Sequence, residues 1–160
     1  MRIREFQCEM FLPLPPEAVF PFFADVKNLD AITPPWLHFR IVTPQPIEMR
    51  VGTMIDYKLR LHGLPIRWRT LISDWQPPFR FVDQQVRGPY RQWIHTHTFE
   101  PRQGGTLARD VVRYAAPLDF ITHPLFVRRD IERIFAFRKE VLQEQFSSRR
   151  CGAPDAEPQS

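Results

Sequence analysis

The spacing of hydrophobic positions along this chain changes period, and each period predicts an element. Residues Arg2 to Leu12 alternate, with Phe6, Cys8, Met10 and Leu12 on one side and mostly charged or polar residues on the other. A period of two predicts a half-buried strand. Pro13, Pro15 and Pro16 end it. Val19, Phe20, Phe22 and Phe23 then predict a short helix, which Pro21 should kink or break. Asn28 to Thr33 reads as another helical turn or two, stopped by Pro34-Pro35, and Trp36 to Val42 as a short strand.

From Thr53 onward the period of two returns and persists through a run of hairpins. Ile55, Tyr57, Leu59 and Leu61 share one side, and His62-Gly63 is a turn. Ile66, Trp68, Thr70 and Ile72 share the next, before Gln76-Pro77-Pro78. Phe79, Phe81, Asp83 and Gln85 follow, then Gly88-Pro89, then Trp93, His95, His97 and Phe99 in one line. Gly104-Gly105 is the last tight turn, leading into Thr106 to Tyr114.

The period then becomes 3.6. Thr122 is an N-cap type, His123-Pro124 suits a first turn, and neither Gly nor Pro interrupts the residues up to Phe146. Val127, Ile131, Ile134, Phe135, Val141, Leu142 and Phe146 form one apolar stripe, with Arg138 set into its middle. An arginine there faces whatever the helix packs on. Strand, short helices, antiparallel strands and one long helix make an α+β fold: a curved six- to seven-stranded sheet wrapped around one C-terminal helix. One helix cannot cover so broad a sheet everywhere, so a cavity between them is expected.

Composition adds an interior. Fourteen Phe and four Trp in 160 residues supply an aromatic-rich core for a single domain, placed at residues 1–146. Residues 147–160 are polar and aperiodic, and are expected to be a disordered tail. No apolar run reaches the ~18 residues of a membrane span, and Glu5 and Glu9 interrupt any signal-peptide core, so a cytoplasmic protein without a transmembrane segment is expected. Cys8 and Cys151 suggest no disulfide framework. The formal charge is +4, but the arginines are dispersed, which does not indicate nucleic-acid binding. Lys58, Arg60, Arg67, Arg69, Arg80, Arg109 and Arg113 fall on the outer sheet face. They read first as a solvated face, with a homodimer or partner surface as the alternative.

The chain resembles the SRPBCC superfamily, the START-like or helix-grip fold, over residues 2–146. The resemblance is carried by Pro15-Pro16-Glu17-Ala18-Val19-Phe20, by Asn28-Leu29 and by the stop at Thr33-Pro34-Pro35-Trp36. Ile72 to Pro78, Phe81-Val82-Asp83, Gly88-Pro89-Tyr90 through Trp93 to Phe99, Gly104-Gly105-Thr106, Asp110 and Ile134-Phe135 with Arg138 complete it. It looks like the bacterial branch of ligand-binding SRPBCC proteins. The resemblance implies the fold and a bound apolar molecule, and no single catalytic set.

Hairpin register adds a polar site. With the turns placed as above, Thr70, Asp83, His95 and Asp110 fall on one row across four strands, facing Arg138. Trp68, Phe81, Trp93, Phe99, Tyr114, Ile131, Phe135 and Leu142 would form an apolar wall, and Asp83, His95, His97, Asp110 and Arg138 a polar anchor. The expected function is binding or transport of a small hydrophobic or amphipathic molecule: a lipid, a polyketide-like or an aromatic compound. The alternative is a polyketide cyclase or aromatase, with His95 and Asp110 as acid and base and Arg138 stabilising an enolate. The structural reading, in which these groups satisfy one another and only fix helix on sheet, is the favoured one for Arg138 with one Asp, and both readings can hold at once. Tyr57 and Tyr114, on the inner face, could be general acids, though buried tyrosines are more often core residues. His95-Thr96-His97 puts two imidazoles on one face, and Asp110 or Asp83 would make three metal ligands. That spacing alone is weak evidence, so neither metal nor cofactor is expected.

Overall fold

The computed structural model describes residues 1–151. The strands are β1 (Arg4–Leu12), β2 (Arg40–Ile41), β3 (Met54–Leu61), β4 (Leu64–Gln76), β5 (Arg80–Arg87), β6 (Gln92–Arg102) and β7 (Gly105–Ala115), with helices α1 (Pro16–Ala24) and α2 (Asn28–Ala31) after the first strand. A 3₁₀ turn at Pro35–Leu37 and the two-residue β2 occupy the stretch expected to be one short strand. Helix α3 (Asp119–Thr122), a π-helical turn at His123–Val127 and α4 (Arg128–Cys151) form the C-terminal helical run.

The seven strands make one antiparallel sheet in the order β1-β7-β6-β5-β4-β3-β2. Four consecutive hairpins explain the order from β3 to β7, and β1 closes the far edge by pairing with the last strand. The hairpin between β3 and β4 has a two-residue turn: Leu61 pairs with Leu64 across His62-Gly63, both of which have positive φ. Such a turn matches the right-handed twist of the strands, and glycine adopts it without strain. At Gly105 a side chain would collide with the Leu12 carbonyl of the neighbouring strand.

Four expectations are corrected. Pro21 lies inside α1 without ending it; the helix continues to Ala24, and the Asp25 amide donates to the Pro21 carbonyl. The C-terminal helical run starts earlier than Thr122, because Leu118 in a left-handed conformation precedes Asp119, and Thr122 Oγ1 donates instead to the carbonyls of Pro117 and Leu118. The last sheet turn is Gln103-Gly104, since Arg102 pairs with Gly105. Helix α4 also passes Phe146 to Cys151, so residues 147–151 are helical; the remainder of the expected tail, 152–160, lies outside the described residues.

Ile131, Phe135, Arg138, Leu142 and Phe146 are the buried face of α4, at spacings of three and four that keep them on one side. The helix lies against β1, at one edge of the sheet. At its C-terminal end, Leu142 and Phe146 pack with Met10, Leu12, Phe20, Phe22 and Phe99 into a closed core. On the other side β3, β4 and β5 stand away from it. Two bulges in the β4–β5 ladder, at Arg69/Thr70 and at Ile72/Asp74, fall there. Bulges bend a strand and increase its twist. The hollow lies between this bent part of the sheet and the helix.

Candidate functional site

A cavity of ≈ 210 Å³ opens between β3–β6, α1–α2 and α4. Most of its wall is apolar: Ile55, Leu59, Leu61, Trp68 and Ile72 from β3 and β4, and Ile131, Ile134 and Phe135 from the helix. Phe22, Phe23, Val26, Leu29, Ile32 and Leu37, from α1 to the 3₁₀ turn, close it from the side. Its polar groups are Asp83, His95, His97 and Arg138, clustered in one corner beside Thr70, and Asp25, Asn28 and Thr33 on the α1–α2 side.

Register explains how that corner forms. Asp83 pairs with His95 as the sequence predicts. The other two pairings differ from expectation by two residues each: Thr70 lies opposite Gln85, with Ile72 opposite Asp83, and Asp110 lies opposite His97. The β4–β5 turn, closed by Gln76 and Arg80, sets an odd displacement that the irregularity between Ile72 and Asp74 makes even, and the β6–β7 turn, closed by Arg102 and Gly105, sets the other. A shift of two preserves the face, because side chains alternate with period two. The polar residues therefore still converge, although not in one row.

Each imidazole lies between two carboxylates. His95 has Nε2 3.0 Å from Asp110 Oδ1 and Nδ1 3.6 Å from Asp83 Oδ2. His97 has Nε2 2.8 Å from Asp83 Oδ2 and Nδ1 2.8 Å from Asp110 Oδ1. The rings lie side by side, with centroids 3.7 Å apart, and His97 stacks on Phe81 at 4.0 Å. From the helix, Arg138 brings Nε to 3.4 Å from Asp110 Oδ2 and lays its guanidinium over the Phe23 ring. His97 Nδ1 and Arg138 Nε are both buried and miss hydrogen-bond geometry, so their contacts with Asp110 are ionic.

Burial alone would raise the Asp110 carboxyl; the Arg138 charge and the two histidines outweigh it and hold the group well below the usual carboxylate range. Asp83 moves the same way: burial is overcome by the His97 hydrogen bond and the nearby positive charges. Burial lowers His95, and the His97 charge adds to that effect; Asp110 and Asp83 oppose the two without prevailing. Burial opposes protonation of His97 too, but its two carboxylate neighbours win and raise it. Of the two imidazoles, His97 is thus the one whose protonated form its surroundings favour.

The sequence-predicted wall residues Trp68, Phe81, Trp93, Ile131 and Phe135 reach the cavity together with Asp83, His95, His97 and Arg138. Asp110 sits behind the histidines, off the cavity surface. Phe99 and Leu142 belong to the closed core, and Tyr114 turns away to His123, whose Nε2 lies 3.0 Å from its hydroxyl. Wall residues that sequence reasoning did not single out include Phe22, Leu29, Ile32, Phe39, Met49 and Tyr90. Their only signal was an apolar side chain in a short helix or a loop, which does not say what it will cover. Burial holds the Tyr57 and Tyr90 hydroxyls protonated, raising both above their ordinary range. Asp83, His95 and His97 place donor atoms within 4.8 Å of one another and could hold a metal ion.

Comparison with known proteins now bears on this geometry. Residues 12–136 match the family described as polyketide cyclase / dehydrase and lipid transport. The chain belongs to that family. Its fold is the SRPBCC helix-grip fold, with a ligand-binding architecture. Protein CV1439 from Chromobacterium violaceum shares it with a TM-score of 0.71 at 15% identity, over 89% of this chain and 96% of that one. A norcoclaurine synthase point mutant from Thalictrum flavum, in complex with a transition-state analogue, has a TM-score of 0.69 at 12% identity, covering 93% and 97%. The di-domain aromatase/cyclase StfQ of the steffimycin pathway aligns over 94% of this chain and 52% of its own, with a TM-score of 0.70 at 13% identity. At these identities the likeness is of fold. No curated protein sequence matches. Among the described residues, no helix is long and apolar enough to cross a membrane.

Proposed function

We propose that this family member binds a small hydrophobic or amphipathic molecule between the sheet and α4. The observation that carries the reading is the cavity of ≈ 210 Å³, apolar on nearly all sides with one charged corner. Pockets for drug-sized ligands run from about 300 to 1,000 Å³. The occupant is therefore compact: a ring or short acyl body against Trp68, Trp93 and Phe135, with one polar end toward His95, His97 and Arg138. Carriage or sequestration requires no more than that.

The test is binding itself. Trp68 and Trp93 line the cavity, so their fluorescence should be quenched by an entering 1-anilinonaphthalene-8-sulfonate, saturably and at 1:1 stoichiometry. Native mass spectrometry of protein purified from its host should show a co-purifying apolar compound that the probe displaces. Absence of both would end the proposal.

A second reading, cyclisation or aromatisation of a carbonyl-rich substrate, draws on the His95–Asp110 contact at 3.0 Å beside Arg138. His95 would move the proton, Asp110 would hold the ring, and Arg138 would face a developing enolate. Turnover of a poly-β-keto substrate that His95→Ala abolishes while probe binding persists would establish it; binding without turnover leaves the carrier.

A further inference from the structure

Two histidines between two carboxylates serve more than one purpose, and the details of their placement discriminate. We propose that Asp83, His95 and His97 bind one divalent transition-metal ion at the cavity wall, with Asp110 orienting both imidazoles from behind.

His95 and His97 are two apart on β6, so they project from one face, and Asp83 stands directly opposite His95 on β5. Each ring turns one nitrogen to Asp83, at 3.6 and 2.8 Å, and the other to Asp110, at 3.0 and 2.8 Å. Metal–donor bonds of about 2.1 Å place neighbouring donors about 3.0 Å apart in an octahedron and about 3.4 Å in a tetrahedron. The Asp83-to-histidine spacings bracket those values. A ligating imidazole characteristically gives its other nitrogen to a carboxylate, which fixes tautomer and ring plane; here buried Asp110 takes that hydrogen bond from His95 and lies in ionic contact, 2.8 Å away, with the far nitrogen of His97.

The alternative position, on the Asp110 side of the rings, is closed. Arg138 Nε lies 3.4 Å from Asp110 Oδ2, and its guanidinium would repel a dication. Asp83, His95 and His97 border the cavity, whereas Asp110 does not. Three protein donors therefore leave coordination positions that open on the cavity, suited to an oxygen donor of a bound molecule such as a carbonyl, hydroxyl or carboxylate. Mutual hydrogen bonding of the cluster explains the His97–Asp83 and His95–Asp110 contacts, but it leaves His95 Nδ1, 3.6 Å from Asp83, beyond hydrogen-bond reach of that carboxylate. Two nitrogens and one carboxylate favour Zn²⁺, Co²⁺, Ni²⁺ or Fe²⁺ over Mg²⁺ or Ca²⁺.

The inference shares the cavity with the reading above but not its evidence: probe binding by metal-free protein tests that reading, and metal titration without any organic molecule tests this one. Tag-free, chelator-stripped protein would be titrated with Zn²⁺ and Co²⁺ by calorimetry, and metal content measured after dialysis. One equivalent should be retained. His97→Ala and Asp83→Ala should each weaken binding at least 100-fold, with near-UV circular dichroism unchanged. Asp110→Asn should weaken it roughly 10–100-fold without abolishing it, as loss of an orienting carboxylate does. The Co²⁺ form of the unaltered protein, examined by X-ray absorption, should show two imidazoles and no sulfur, which keeps the site testable if the variants do not fold. Retention below a tenth of an equivalent, full affinity in Asp83→Ala, or a coordination shell without two imidazoles would overturn the assignment.

Discussion

The two sides of the helix–sheet sandwich use similar residues to opposite ends. Where α4 approaches β1, Leu142 and Phe146 are wholly buried, and Phe20, Phe22, Phe23, Phe81 and Phe99 interlock around them. Phe22 and Phe146 meet edge to face at 5.4 Å, and Phe20 meets Phe99 at 5.5 Å. Where the sheet bends away over β3–β5, equally apolar side chains such as Leu59, Leu61 and Trp68 face a hollow. Hydrophobicity alone thus does not decide between a core and a binding cavity; the distance between the surfaces does. The charged cluster stands on the boundary. Phe99 lies on the closed side, Phe81 borders both, and His95 and His97 stand at the rim, although His97 and Phe99 are only two apart on one strand.

That contrast can be broken most severely from the closed side. Phe146→Ala should cost about 3–5 kcal/mol, the range for removing a large buried aromatic whose neighbours cannot collapse fully into its place. Urea denaturation followed by tryptophan fluorescence measures it; a loss below about 1 kcal/mol would mean that this end is no tighter than the cavity. At the boundary, Arg138→Met should cost about 3 kcal/mol, because Asp110 would then be buried without the guanidinium charge that faces it. The partner change Asp110→Asn in the Arg138→Met background should recover most of that loss. If the double variant is as unstable as the sum of the single ones, the two side chains are not coupled and the boundary rests on packing alone.

Elements and faces were legible in the sequence because they depend on local period. The strands of Ile55–Leu61, Ile66–Ile72 and Trp93–Phe99 follow from alternation, and the inward Arg138 follows from its place between Phe135 and Leu142. Register was not legible, because neither the residues that close a turn nor a bulge leave a periodic trace: nothing in Gln76-Pro77-Pro78 fixes the Gln76–Arg80 closure, and nothing in Ile72-Ser73-Asp74 announces the irregularity found there. The cluster survived that error because both displacements were even. The side wall was hidden for another reason. Leu29, Ile32 and Leu37 are apolar residues in turns too short to show a period, and only the chain's return over the sheet brings them to the cavity. The His95-Thr96-His97 spacing was too common to carry a metal site until Asp83 and Asp110 were seen on the two sides of the rings.

The finest test of the contrast uses the same kind of substitution on both sides. Ala108 is buried in the closed core against Met10 and Phe99, so Ala108→Leu forces three extra carbons into filled space. Overpacking of that kind costs about 1–3 kcal/mol. Leu59 is half-buried on β3 and borders the cavity, so Leu59→Phe adds a ring to space that is open. Its cost should stay within about 1 kcal/mol, because added dispersion contacts offset the small loss of side-chain freedom. Affinity for 1-anilinonaphthalene-8-sulfonate should fall at least tenfold, since the ring occupies part of ≈ 210 Å³. Leu59→Phe with undiminished probe affinity would place the probe elsewhere on the molecule. A stability loss equal to that of Ala108→Leu would show that the hollow beside β3 closes in solution, leaving the charged corner with packing as its whole role.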